Sequence, residues 1–317
     1  MILDDKLRSG DTIILDGATG TEIARLGGAM NSAAWCGVAN KTHPEIVRKV
    51  HEDYIEAGCD VVITNTFATC RHVLAGAGLA DETVAINRRA VELAREAVDS
   101  VGPSRPVAVA GSMSTTHAWK EGTLQADPAY LPDGETEASN FVEMAETLAE
   151  AGVDVLVLEM MSDIDGAGRC AEAAVATGLP VWVGISCIDD DDGSLVGLRA
   201  SKSRQKAELP ALEEIIDALM ERGGDVYGIM HSTADVTGPA LECLASRWQG
   251  PVMAYPETLR TFDERTHYPT ESLTPDEFAR SCLAWLDSGV SIIGGCCGTT
   301  IDHIRALVRH MEERVTG

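Results

Sequence analysis

Eight times along this chain a short, almost unbroken apolar run precedes a stretch of helical period. The runs are Thr12–Asp16, Asp60–Thr64, Pro106–Gly111, Asp154–Glu159, Pro180–Ser186, Asp225–Met230, Pro251–Tyr255 and Val290–Gly294. Strands that are apolar at nearly every position, rather than at alternate ones, are buried on both faces, as in a parallel sheet covered by helices. Between them, apolar stripes at three- and four-residue steps predict helices over 44–58, 83–98, 139–151, 209–222, 239–248, 275–289 and 301–315. In the fourth of these, Leu212, Ile215, Ile216, Leu219 and Met220 share one face. One junction recurs at Glu56–Asp60, Glu150–Asp154 and Asp287–Ser291: a helix stops on glycine and a strand starts two residues later. Eight strand–helix units in 317 residues match a (β/α)8 TIM barrel. An open doubly wound sheet would more often carry G-x-G-x-x-G after its first strand, which Asp16–Thr21 does not spell. No Ser/Gly tract or Pro-rich spacer divides the chain, so residues 1–317 read as a single domain.

Charge narrows the partners. With 25 Lys+Arg against 50 Asp+Glu the formal net charge is −25, which argues against nucleic acid and against an anionic membrane surface. Aromatic residues are only 4%, too sparse for a base-stacking platform. No apolar run approaches the roughly 20 residues of a membrane span. The opening, Met1–Gly10, lacks the pattern of an export signal. Nine scattered cysteines in a chain of this size suggest no disulfide framework. A reducing, cytoplasmic setting is expected, with small molecules as partners and homo-oligomerisation left open.

In a barrel of this kind the reactive groups stand at the C-terminal ends of the strands. Those ends carry Asp16, Asn65, Ser112, Glu159, Ser186, His231, Tyr255 and the pair Cys296–Cys297. The run Gly294-Gly295-Cys296-Cys297-Gly298-Thr299-Thr300 is the most specific of these features. Neighbouring cysteines make a strained disulfide ring, whereas two thiols at a strand–helix turn suit a metal, with the helix start favouring thiolate. A tight turn with merely small cysteines is the plainer alternative. A zinc site needs a third ligand and leaves a fourth position open for catalysis. His231 is the candidate, because strands six and eight share parity and point side chains into the same layer. A hydrogen-bonded loop histidine is the alternative there.

The chain resembles the homocysteine S-methyltransferase family along nearly its whole length. The resemblance rests on Ile14–Glu22, on Trp35, on His43–Val47 with His51, on Asp60–Phe67, on Ala110–Ser112, on Asp154–Glu159, on Tyr255-Pro256 and on Gly294–Thr300. It implies a zinc-dependent barrel enzyme in which three cysteines hold Zn2+ and a substrate thiolate attacks an activated methyl group. Asp16 and Glu159 match the positions that hold the amino group of homocysteine, with Gly17 and Ser112 beside them as substrate-binding candidates. Two carboxylates suit one ammonium; an N-cap and a buried ion pair are their plainer roles.

Three departures surround the implied metal. The family's Gly-x-Asn-Cys is here Gly228-Ile229-Met230-His231, so histidine stands for the third cysteine and methionine for the asparagine. Its Tyr-Pro-Asn is here Tyr255-Pro256-Glu257, continuing as Thr258-Leu259-Arg260. Two thiolates and a neutral imidazole leave Zn2+ formally neutral, a stronger Lewis acid than a tris-thiolate site. The expected reaction moves a methyl group from S-methylmethionine, S-adenosylmethionine, dimethylsulfoniopropionate or betaine to homocysteine, giving methionine. Trp35, Trp119, Tyr255 and Glu257 are the candidates for lining a cationic donor. The altered shell also admits a different thiol acceptor, or a homologue that binds zinc or thiol without catalysis.

Overall fold

The eight apolar runs all become strands, and all eight lie in one parallel sheet. The computed structural model describes residues 3–123, 125–190, 192–198, 209–262 and 269–316. The strands are β1 (Ile13–Ile14), β2 (Val61–Ile63), β3 (Ala108–Ser114), β4 (Val155–Met161), β5 (Val181–Ile185), β6 (Val226–Thr233), β7 (Val252–Glu257) and β8 (Ile292–Ile293). Consecutive strands pair from β2 through to β8, and β8 returns to β1 through Ile13–Ile292 and Ile14–Ile293. The ring closes where Leu15 bridges Val61 and the Asp16 amide donates to the Val61 carbonyl. This is the expected TIM barrel.

Eight helices wrap it: α1 (Pro44–Ala57), α2 (Thr83–Val101), α3 (Gly134–Ala151), α4 (Asp165–Ala176), α5 (Leu212–Met220), α6 (Ala234–Ala245), α7 (Pro275–Asp287) and α8 (Ile301–Thr316). The apolar stripes lock them onto the strands. Leu212, Ile215, Ile216 and Leu219 of α5 are fully buried, as are Phe141, Met144 and Leu148 of α3. A second apolar cluster fills the barrel interior, where Val61, Val155, Val157, Trp182, Val226 and Ile292 meet. The alternating sides of each strand thus feed two cores, which explains why the sequence runs are apolar throughout.

The structure corrects three details. Helix α6 starts five residues before Pro239, which lies inside it. Helix α4, Asp-Gly-Ala-Gly-Arg-Cys-Ala-Glu-Ala-Ala-Val-Ala, has no stripe of large apolar residues and escaped the periodicity. Two antiparallel hairpins decorate the mouth, one pairing Cys187–Asp189 with Leu195–Gly197 and one pairing Leu259–Phe262 with Pro269–Ser272. No helix among the described residues is long and apolar enough to cross a membrane.

Candidate metal centre and active site

The C-terminal mouth gathers the strand-end residues. The Gly294–Thr300 turn leaves β8 pressed between β1 and β7. A Cβ on Gly294 would sit 2.7 Å from the Asp16 carbonyl oxygen, so only glycine fits that approach. Gly298 holds φ at +81°, the left-handed conformation that glycine adopts without penalty. The Cys296 amide donates to the Pro256 carbonyl at 2.8 Å, and the Thr258 amide donates to the Cys297 carbonyl at 3.0 Å. These bonds fix the sulfurs at the mouth, with Cys296 buried, Cys297 half-buried and their Sγ atoms 3.7 Å apart.

His231 meets them from β6. Its Nδ1 lies 3.0 Å from Cys296 Sγ, and its Nε2 lies 2.8 Å from Glu159 Oε2. Ser112 Oγ donates to the other Glu159 oxygen at 2.5 Å. Because Glu159 accepts at Nε2, that nitrogen carries the proton, and Nδ1 is left to face the sulfurs. A carboxylate behind an imidazole is the arrangement that orients metal-binding histidines. Backbone strain accompanies it: His231 has φ +53° and Met160, next to Glu159, has φ +58°. Register shifts fall at the same places, between Leu158 and Met161 and between Met230 and Thr233. Bulges of this kind re-aim side chains beside active sites. A non-glycine residue at positive φ costs about 1–3 kcal/mol and persists only where its surroundings enforce it.

The protonation pattern agrees with a cation-binding role. Burial alone would lower the His231 imidazole, but hydrogen bonds to Cys297 and to Glu159 raise it to about 10. Cys297 falls to about 5, accepting from Cys296 and facing His231, while burial and then Cys297 push Cys296 up. Thiol and imidazole ligands bind metal in their deprotonated forms, so a divalent cation here would displace protons. Glu257, at the end of β7, is raised to about 8 by burial and then by Cys297. Among the described residues, His231, Glu257 and Cys296 form a set whose donor atoms all lie within 4.8 Å of one another. The nitrogen, oxygen and sulfur donors present fit zinc.

The remaining candidates divide. Asp16 is fully buried, accepting from the Ile63 amide at 2.8 Å and from the Tyr255 hydroxyl at 3.2 Å. Burial raises it well above the usual carboxylate range. The Gly17 carbonyl takes a second contact from the Tyr255 hydroxyl at 3.0 Å, and Tyr54 packs where a Gly17 side chain would go. A cavity of about 50 Å3 is lined by Trp35, Phe67, Glu159, His231 and both cysteines, with Tyr255 at its wall. Trp119 stands behind this wall, its ring centre 6.3 Å from that of Trp35. Phe67, which the strand-end pattern does not single out, has its ring centre 5.4 Å from His231 and 5.9 Å from Trp35. Its position two residues beyond the strand-end Asn65 was the signal. Asn65 itself braces the wall, accepting from Cys36 Sγ at 3.0 Å and donating to the Cys36 carbonyl at 2.9 Å.

Residues 13–311 match the homocysteine S-methyltransferase family model. The chain belongs to that family of methyltransferases. It is 25% identical to homocysteine S-methyltransferase 1 of Arabidopsis thaliana, over 99% of this chain and 98% of that one. It is also 25% identical to the selenocysteine methyltransferase of Astragalus bisulcatus, over 98% and 95%. Among solved structures, the metallated form of the homocysteine methyltransferase MmuM of Escherichia coli superposes with a TM-score of 0.73. That comparison has 24% identity and covers 98% of this chain and all of that one.

Proposed function

We propose that this protein is a zinc-dependent S-methyltransferase that moves a methyl group from a small sulfonium or ammonium donor to the thiol of homocysteine, giving methionine. His231, Cys296 and Cys297 would hold the zinc. When bound there, zinc supplies Lewis acidity that keeps a substrate thiol in its thiolate form at neutral pH. The observation that carries the reading is the double engagement of His231, with one ring nitrogen 3.0 Å from Cys296 Sγ and the other 2.8 Å from Glu159.

The chain's own groups would handle the organic substrates. Asp16 and Glu159 offer carboxylate oxygens to the amino acid's ammonium, with Ser112 and the Gly17 backbone beside them. Trp35 and Phe67 line the cavity, and aromatic rings favour a methyl group attached to a positive centre. In the transfer, the thiolate sulfur forms a bond to the methyl carbon as the carbon–sulfonium or carbon–ammonium bond breaks. The donor leaves as a neutral thioether or amine. Bringing both molecules into one buried cleft removes much of the entropic barrier.

Glu159 already accepts from both Ser112 and His231. That engagement favours, as a second reading, a thiol acceptor that makes less use of an ammonium holder. A panel pairing homocysteine and other small thiols with S-methylmethionine, S-adenosylmethionine, dimethylsulfoniopropionate and betaine, read by mass spectrometry, separates the readings. Methionine from at least one donor is expected. A methylated product from another thiol alone would replace homocysteine as the acceptor. A zinc-loaded protein that makes no product with any pair would be a binder rather than an enzyme.

A further inference from the structure

Glu257 has the position of a ligand rather than of a donor-lining group. It ends β7, next to Tyr255-Pro256, whose carbonyl at Pro256 anchors the Cys296 amide. A carboxylate oxygen of Glu257, a ring nitrogen of His231 and the Cys296 sulfur lie mutually within 4.8 Å, so each can reach a common point between them. Glu257 makes no hydrogen bond or ion pair through its carboxylate among the described residues. A half-buried carboxylate left without a donor is costly as the bare anion, and a proton or a cation relieves that cost. The other acids of the mouth differ on this point: Asp16 takes an amide and a phenol, and Glu159 takes a hydroxyl and an imidazole. One of the Glu257 oxygens belongs to the set that the sulfur and the imidazole complete.

We infer that Glu257 is the fourth protein ligand of the metal, so that the substrate-free site is a closed His231–Cys296–Cys297–Glu257 set. This rests on the metal centre of the proposed function. It changes the formal charge: Zn2+ with two thiolates and an imidazole sums to 0, and Glu257 takes it to −1. The mixed set of one nitrogen, one oxygen and two sulfurs is one that zinc accepts.

The test is a crystal structure of the zinc-loaded wild-type protein together with zinc affinities, by chelator competition, for wild type, Glu257→Ala and His231→Ala. Expected are a Glu257 oxygen about 2.0–2.2 Å from zinc and at least about a tenfold loss of affinity in Glu257→Ala, since removing even an outer-shell partner costs that much. A Glu257 oxygen more than about 3 Å from zinc, with His231 and both sulfurs bound, overturns the inference and leaves the metal centre standing. An affinity unchanged in Glu257→Ala but weakened in His231→Ala does the same. Zinc absent, or bound without loss in His231→Ala, overturns this inference and the proposed centre together. The wild-type structure decides the matter should either variant fail to fold.

Discussion

Acidic residues stand at both ends of this barrel, under different rules. At the N-terminal end, Asp60, Asp154 and Asp225 each accept from a backbone amide of a neighbouring strand: Ile14 at 2.9 Å, Val109 at 2.7 Å and Val181 at 2.9 Å. Two of them also meet a cation, Lys6 at 2.6 Å and Arg95 at 2.9 Å. At the C-terminal end, Asp16, Glu159 and Glu257 are paired with no lysine or arginine among the described residues, and they crowd two thiols, an imidazole and a cavity. The first group staples the strands in register. The second group would cost stability if it served the fold alone, and strain at Met160 and His231 adds to that cost. The scaffold pairs its acids with amides and cations at one end, and at the other it sets Glu257, without a donor among the described residues, beside a thiol and an imidazole.

Replacing Cys296 by alanine should break this contrast most severely. Methyl transfer is expected to fall at least about 1,000-fold, because a metal's charge stabilisation is worth several kcal/mol. The melting temperature should move little, since the turn keeps its backbone bonds. Collapse of the fold would instead make the pair a structural element.

Acid should expose the scaffold next. His51 on α1 is fully buried with neither ring nitrogen paired, and burial lowers it to about 4. The unfolded chain takes up a proton below about 6.5, which the folded one refuses until about 4. The stability this residue contributes is therefore whole above pH 6.5 and lost as pH falls toward 4, up to about 3 kcal/mol. Urea midpoints followed from pH 7 to 4 should fall, and His51→Leu should flatten part of that slope. An identical slope in the variant would assign the acid sensitivity to other groups.

Asp154→Ala should cost about 1.5–3 kcal/mol, the range for a hydrogen bond to a charged group, while leaving turnover per folded molecule unchanged. Ser112→Ala should do the reverse, lowering turnover about tenfold by loosening Glu159 behind His231 with almost no change in the urea midpoint. A stability loss without an activity loss in Ser112→Ala would move Ser112 to the scaffold.

The barrel was legible because burial on both faces leaves a plain mark: apolar at every position, eight times. The mark fades where packing uses small residues, as in α4, whose Ala and Gly side chains reach the sheet without forming a stripe. At the mouth, position at the strand end marked His231 and Cys296, but the imidazole reaches the sulfur through the bulge after Met230, whose own side chain packs in the barrel interior. Position did not reveal the supporting shell. Ser112 and Glu159 read as substrate-holding residues, and only the fold shows Glu159 engaged by both Ser112 and the imidazole. Glu257 read as a lining residue, because its distance from His231 depends on the bulge after Met230. Phe67 lay within a recognised stretch, yet its facing of the imidazole depends on the turn after β2.

The proposed function is a metal-dependent transfer of methyl to a thiol at the Cys296–His231 centre. It is tested most directly by measuring methionine formed from homocysteine and an active donor before chelation, after chelation, and after zinc is restored. Product is expected in the first state, almost none in the second, and recovery with about one zinc per chain in the third. Undiminished product after complete removal of metal would contradict the proposed function.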